Sequence, residues 1–521
     1  MFAFLRHALR FAHVGFVLAR EGVISRIDSA LAPPQVRPLL WVANRIARKT
    51  SADAAVRLAR ALGRLGPSHV KFGQFLSTRP DVVGAKLSKD LERLQDRMPP
   101  FPTERAKAII EATLEKPIEQ MFSSFSEPVA AASIAQVHKA VLRETGETVA
   151  VKVLRPGVQR QFKRDLDAFY GGARFAEQYL PGMERLKPTS VVDVLARSVA
   201  MELDLRLEAA ALSEMAQNTK DDPGFRLPKP NWEYSGRDVL TMDWIDGIPL
   251  SDIAALTAAG LDLPALGRTV IESFLRHAIR DGFFHADMHQ GNLFADREGN
   301  LVAVDFGIMG RIGDKERRFL AEILFGFITR NYRRVAEVHF EAGYVPAKHS
   351  IDDFAQAIRA IGEPIHQRRA DEISMAKLLT LLFEITQLFD MKTRPELVML
   401  QKTMVVVEGV GRTLDPKLDM WKTAEPVVRA WIERHLGPIG KLQDAGAGLS
   451  GLAQAAFKMP ELVSRSERLV GELEAATSTG FMLAPESIEA IGKAEARRAR
   501  WGNSALWVIA TLLAVALWKL L

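Results

Sequence analysis

The segment from His285 to Gly307 holds residues whose types and spacing suit phosphoryl transfer. His285-Ala286-Asp287-Met288-His289-Gln290-Gly291-Asn292 is followed, thirteen residues beyond the Asn, by Asp305-Phe306-Gly307. Phosphoryl transfer needs a carboxylate aimed at the nucleophile, ligands for a metal on the phosphates, and a cation on the phosphates that stay behind. In kinase spacing Asp287 takes the first role, and Asn292 with Asp305 takes the second. A lone Asp-Phe-Gly is a common turn. The full set at this spacing points to a site for ATP and Mg²⁺. His285 reads as a buried hydrogen-bonder that fixes the loop, and His289 lies close enough to Asp287 to touch substrate or phosphate.

The remaining cation is found upstream. Val149-Ala150-Val151-Lys152 matches the strand whose Lys grips the α- and β-phosphates. Such a Lys requires a helix carboxylate. Asp204 and Glu208 are four apart in Glu202-Leu203-Asp204-Leu205-Arg206-Leu207-Glu208 and share a helix face, whereas Glu202 points elsewhere. Glu208 is the expected partner of Lys152. The stretch before the Lys strand, where a glycine-rich phosphate loop would stand, reads Ala130-Ala131-Ala132-Ser133-Ile134-Ala135-Gln136. Alanine lacks glycine's access to positive φ, so this nucleotide loop should be stiffer. No Ala-Pro-Glu stands between Asp305 and Ser350, where the segment that docks protein substrates would end; Gly307 leads instead into a helix-like run. Lys71 and Gln74, in Lys71-Phe72-Gly73-Gln74, share a helix face, and Gly73 inside a helix suggests close packing.

The elements that position these residues divide the chain into five. Residues 1–104 read as a helical extension and 105–247 as a small mixed lobe. Residues 248–436 read as a helical lobe, 437–503 as a helical linker and 504–521 as a membrane anchor. In the small lobe, Pro128–Val141 and Glu147–Leu154 are strand-like around a Thr145-Gly146 turn, Val191–Leu212 is helical, and Asp238–Trp244 is a strand. Short strands at Asn292–Phe294 and Leu301–Val304 bracket a Glu298-Gly299-Asn300 turn. The expected fold class is α+β: a two-lobed protein-kinase-like fold with an N-terminal helical extension and a C-terminal transmembrane helix.

Composition fits a folded protein and excludes several chemistries. Of 521 residues, 48% are hydrophobic and 25% charged, and the net charge of +6 selects no partner by itself. With no cysteine, disulfides, thiol catalysis and cysteine zinc sites are excluded. The first 22 residues lack a signal-peptide cleavage site. They read as an amphipathic helix, packed on the body of the protein or lying on a membrane surface. Ser504–Leu521 carries Lys519 as its single charge, and Trp501, Trp507 and Trp518 lie near its ends. Arg497, Arg498 and Arg500 before it would keep the catalytic domain cytoplasmic.

Taken together, Lys71–Gln74, the alanine-rich loop, Lys152 in VAVKVLRPG, the Glu202-x-Asp204 pair, HADMHQGN and Asp-Phe-Gly closely resemble the UbiB family. These are atypical kinase-like proteins of ubiquinone biosynthesis. The resemblance implies a membrane-bound ATPase that supports ubiquinone production, anchored at a bacterial inner membrane. Its partners would be ATP, membrane lipids, quinone precursors and other ubiquinone-biosynthesis proteins, with no nucleic acid. The resemblance also implies that Lys71 and Gln74 reach into the active site, with Glu202 and Asp204 as partners, and that Ala130–Gln136 handle the nucleotide. Alternative readings are a true protein kinase and a nucleotide-gated lipid chaperone. A hydroxylase reading finds neither a flavin fingerprint nor a metal triad for oxygen chemistry.

Overall fold

The computed structural model describes residues 2–24, 37–48, 52–77, 98–179, 187–366 and 395–436, with isolated residues of 83–94 and 384–391 besides. The chain divides into two units, Met1–Arg434 and His435–Leu521. The described helices and strands belong to the first, except that the last helix, Met420–Leu436, extends past Arg434 by His435 and Leu436.

The strands are β1 (Phe122–Ala131), β2 (Ala135–Leu142), β3 (Thr148–Leu154), β4 (Phe225–Arg226), β5 (Pro230–Asn231), β6 (Val239–Asp243), β7 (Ile248–Pro249), β8 (Phe283–His285), β9 (Leu293–Ala295), β10 (Leu301–Ala303) and β11 (Met309–Arg311). The small lobe is built on an antiparallel sheet in the order β1-β2-β3-β6-β5. Its centre, β3, is buried along nearly its whole length, which suits its run of Val and Ala. Successive strand residues point to opposite faces. Val149, Val151 and Val153 therefore enter one core with Ile110, Met121, Phe122 and Val239. Leu154 enters the other, with Leu195, Val199, Leu205, Ala209 and Leu240. Lys152 has the parity of Leu154, so the alternation aims its ammonium at the helix Leu205–Asn218.

The helical reading of Val191–Leu212 requires a correction. Two helices occupy that stretch, Pro188–Glu202 and Leu205–Asn218. Asp204 breaks the run by leaving helical geometry (φ −129°) and accepting from the Arg206 amide, an N-cap. Pro128–Val141 is likewise two strands, β1 and β2, joined at Ala132–Ile134.

The N-terminal helices Ala54–Leu65 and Pro67–Ser77 are joined at Gly66. The second meets the small lobe through Phe72, which stacks on Phe169 with ring centroids 4.7 Å apart. A Cβ on Gly73 would lie 2.5 Å from Leu94 Cδ1 and 2.7 Å from Leu62 Cδ1, so the glycine allows the close packing expected of it.

In the larger lobe, β4, β10, β9 and β7 form a small sheet and β8 pairs with β11. The helix Leu263–Arg276 runs into a π-helical turn, His277–Asp281, which ends at Gly282 and delivers β8. Gly282 has φ +65°, and a Cβ there would meet the Ile312 carbonyl oxygen at 2.5 Å. Gly282→Ala is therefore expected to lower stability by about 2–5 kcal/mol, from the left-handed backbone plus overpacking, as read by denaturant unfolding.

Helices Asp314–Ile328, Tyr332–Glu341 and Ile351–His366 enclose a separate core around Tyr332, Val335 and Phe354, and Pro395–Leu414 and Met420–Leu436 complete the described part. Among the described residues no helix is long and apolar enough to cross a membrane. The anchor expected at 504–521 and the linker at 437–503 lie outside the described residues. The fold class is corrected to what the described residues support: a two-lobed kinase-like α+β fold with an N-terminal helical extension and, among those residues, no transmembrane helix.

Candidate active site

Lys152 stands at the centre of a buried ion cluster. Its Nζ lies 2.7 and 3.0 Å from the two Glu208 carboxylate oxygens and 2.9 Å from Asp305 Oδ1. Sheet register brings Lys152 beneath the 205–218 helix, and the Asp204 cap starts that helix where Glu208 falls on its inner face. The Lys152 and Glu208 side chains are 9% and 6% exposed, whereas Asp305 keeps 41% of its surface open. Asp305 is thus the carboxylate of the cluster that remains accessible to a ligand.

The charges in this cluster are strongly coupled. Burial alone would depress the Lys152 ammonium, but the charges of Asp305 and Glu208 outweigh it and hold the group above its ordinary value. Burial raises Glu208, and the Lys152 charge only partly offsets that. For Asp305 burial is again opposed by Lys152, and here the attraction prevails, holding the carboxyl below its usual range. At neutral pH Lys152 is charged and Asp305 ionised, the states that phosphate and metal binding require.

Asp305 has φ +64°, a left-handed conformation that costs a non-glycine residue about 1–3 kcal/mol. The Lys152 bond helps to hold it there, and the Gly307 amide approaches Oδ1 at 3.4 Å. Nothing in the sequence pattern announces the direct Lys152–Asp305 bond.

The loop after β8 is fixed residue by residue. The Asp287 amide donates to His285 Nδ1 at 3.1 Å, so the proton of a neutral His285 resides on Nε2, which lies 3.2 Å from the Val304 carbonyl. Burial holds His285 below its ordinary pKa, consistent with that neutral form. This histidine ties the Asp287 loop to the residue before Asp305, and its ring lies 5.2 Å from that of Phe306. Asn292 Nδ2 donates to the Asp287 carbonyl at 3.1 Å, which leaves the amide oxygen as the atom suited to a metal. His289 accepts from the Gly291 amide through Nδ1 at 3.1 Å and places Nε2 3.7 Å from Asp287 Oδ2. The buried hydroxyl of Thr403 reaches the Ala286 carbonyl at 3.0 Å from the helix Pro395–Leu414. No motif in the sequence marks Thr403.

The N-terminal extension contributes Lys71, whose Nζ is 2.6 Å from Glu202 Oε2 in a largely buried pair. The Lys71 charge also helps to hold Asp305 ionised. Gln74 is half-buried, one turn further on the same helix. Asp204, expected as a partner of Lys71 and Gln74, is corrected: it caps its helix and pairs with Arg206 at 2.6 and 2.9 Å. An N-cap carboxylate is oriented toward its own first turn, so the pairing is local.

The alanine-rich loop is held by Arg155, which stands in the VAVKVLRPG motif but to which the sequence reading gives no role. Its guanidinium donates to the Ala132 carbonyl at 2.8 and 3.0 Å, and its amide donates to the Ile134 carbonyl at 2.8 Å. The Ala132 amide closes the turn on the Ala135 carbonyl at 2.8 Å. Ala130 and Ala131 pair in β1, and Ser133 and Ala135 are buried. Gln136 departs from expectation. Its amide faces the main chain of Phe101 at 2.9 and 3.2 Å and His138 Nε2 at 2.9 Å, because its strand parity turns it into the sheet. It anchors the segment that joins the extension to the lobe. A cavity of about 160 Å³ beside Arg155, lined also by Ile109, Gln159 and Asp238, includes none of Lys152, Glu208, Asp287, Asn292 and Asp305.

A two-lobed α+β fold with this Lys–Glu–Asp cluster and an Asp287–Asn292 loop defines an atypical kinase-like protein. Known proteins agree with that class. Residues 93–339 match the ABC1 atypical kinase-like domain, and 358–419 match the UbiB helical domain. Over 412 residues the chain is 41% identical to the probable protein kinase UbiB of Marinobacter nauticus, spanning 78% of this chain and 75% of that protein. Among solved structures it resembles the Rv3197–erythromycin complex of Mycobacterium tuberculosis, with a TM-score of 0.51 and 27% identity, covering 72% of this chain and 95% of that one. The chain belongs to the UbiB family, the atypical kinase-like proteins of ubiquinone biosynthesis.

Proposed function

We propose that the chain is an ATPase of ubiquinone biosynthesis that binds ATP with Mg²⁺ and acts on, or responds to, a lipid or quinone precursor. The observation that carries this reading is the cluster at Lys152: a buried ammonium paired with Glu208 and touching the more open, ionised Asp305. The oxygen donors of Asp305 and Asn292 suit a hard cation such as Mg²⁺. When bound, the metal would neutralise phosphate charge and orient the transferred group. Lys152 would hold the phosphates that stay behind, Glu208 would keep that ammonium in place, and Asp287 would orient the attacking oxygen. The Arg155-held loop over Ala130–Ala135 would border the nucleotide.

The Lys71–Glu202 pair beside the site and the lack of Ala-Pro-Glu between Asp305 and Ser350 favour water or a small acceptor over a protein. The Marinobacter relative is named a probable protein kinase, so a protein acceptor is the second reading. Purified full-length chain supplied with γ-labelled ATP distinguishes them. The expected result is label released to water or carried by an added phenolic quinone precursor, with turnover raised by that precursor. Label appearing mainly on added proteins would contradict it.

A further inference from the structure

Among the described residues, the helical region that follows the kinase-like lobe reaches the Asp287 loop through the side chain of Thr403. The helix Pro395–Leu414 crosses the helix Leu263–Arg276 at glycines: a Cβ on Gly267 would lie 3.1 Å from the Gly411 carbonyl oxygen and 3.5 Å from Leu414 Cβ. Such a crossing brings the two backbones together and fixes how far the 395–414 helix sits from the chain leading to β8. Thr403 lies two turns before Gly411 on that helix and is fully buried. Its hydroxyl is 3.0 Å from the Ala286 carbonyl and 2.9 Å from the Met399 carbonyl of its own helix. A hydroxyl has one proton, so the two acceptors share it.

Ala286 is the residue between His285 and Asp287. Its amide donates to the Ile308 carbonyl at 3.0 Å, just past Asp305-Phe306-Gly307. Its carbonyl belongs to the peptide whose nitrogen is that of Asp287, and that nitrogen donates to His285. The orientation of this one peptide therefore sets where the Asp287 side chain starts. Thr403 holds the peptide's oxygen, and His285 holds its N–H.

We propose that Thr403 is a positioning residue for Asp287, so that the helical region is part of the catalytic machinery and not an appended module. The proposal rests on the reading of the site as one for ATP turnover. Thr403→Val keeps the shape and removes the donor, leaving the Ala286 carbonyl against a methyl group. The peptide is then free to tilt, and small misplacements of a reacting group cost rate far more than they cost binding.

The test compares steady-state ATP turnover and Mg²⁺-ATP-induced thermal shift in full-length wild type, Thr403→Val and Thr403→Ser. For Thr403→Val the expected result is a kcat about tenfold lower, the size of one hydrogen bond expressed as rate, with KM for ATP and the thermal shift unchanged. Thr403→Ser should return kcat to within about threefold of wild type, because the donor is back. If Thr403→Val does not fold, Thr403→Ala carries the same expectation against Thr403→Ser. A valine (or alanine) variant with wild-type kcat overturns the proposal. So does a serine variant as slow as the valine one, which would make shape and not the hydroxyl the cause, or a loss confined to thermal stability or KM. Wild-type chain without ATP turnover overturns the functional reading itself, and this proposal with it. Wild-type turnover with an unimpaired Thr403→Val overturns the proposal alone.

Discussion

Asp305→Asn loses Mg²⁺-dependent ATP turnover by about a thousandfold or more, the rate equivalent of roughly 4 kcal/mol of charge stabilisation. The substitution is well suited to this backbone. Asp305 sits at φ +64°, and asparagine is among the few side chains that tolerate left-handed geometry, so the chain keeps its course. The negative charge disappears, and that is the part a metal needs. Lys152 still has Glu208 at 2.7 Å, so the ammonium stays paired. Phosphate-release kinetics across a Mg²⁺ titration measure the effect, and unchanged turnover would remove Asp305 from the metal site.

Lys152→Met produces the largest expected loss of stability, and Glu208→Gln a distinctly smaller one. Removing the ammonium leaves Glu208, 6% exposed, as an uncompensated buried acid beside Asp305. Breaking a buried pair from one side typically costs about 3–5 kcal/mol. Removing the Glu208 charge instead leaves Lys152 with Asp305 at 2.9 Å, and Asp305 is partly screened by the water it still meets. About 1–2 kcal/mol is expected there, mostly the loss of charge-assisted bonds. The double variant Lys152→Met with Glu208→Leu should regain much of the stability, because two apolar side chains can replace an ion pair in a buried place. It should remain inactive, since nothing then grips the phosphates. Denaturant unfolding of the four chains checks the order. Equal losses for the two single variants would show that Asp305 does not share Lys152.

The parts of the site that lie close together in sequence are the easiest to read. Asp287, Asn292 and Asp305 fall within nineteen positions, and their spacing alone places them on one loop and the turn after a short strand. Strand parity carries Lys152 to the correct face, and the Glu208 pairing requires only that the helix start near Asp204. Long-range consequences are harder. The bond from Lys152 to Asp305 joins residues 153 apart, and that from Thr403 to Ala286 joins residues 117 apart. Neither leaves a local pattern. Arg155 looks like a residue of the VLRPG turn, and its grip on the alanine-rich loop depends on how that turn folds back.

The departures from expectation have local causes. Glu202 through Glu208 is rich in helix formers, so its pattern suggests one continuous helix. The Asp204 side chain competes with helix hydrogen bonding and starts a new helix instead. That single cap separates Glu202, which meets Lys71, from Glu208, which meets Lys152. Gln136 adjoins the loop in sequence, yet its position two residues before the buried His138 already places it on the inward face of β2.

The central claim is that Lys152 and Asp305 together hold ATP with a divalent cation. Thermal unfolding of the full-length chain with and without ATP and Mg²⁺ tests it most directly, since a ligand at a hundred times its Kd stabilises by about 2.7 kcal/mol. Wild type should gain that stabilisation only when nucleotide and metal are both present, Asp305→Asn should lose the metal dependence, and Lys152→Met should lose the gain altogether. An equal gain in wild type and Lys152→Met, or none in wild type, would contradict the claim.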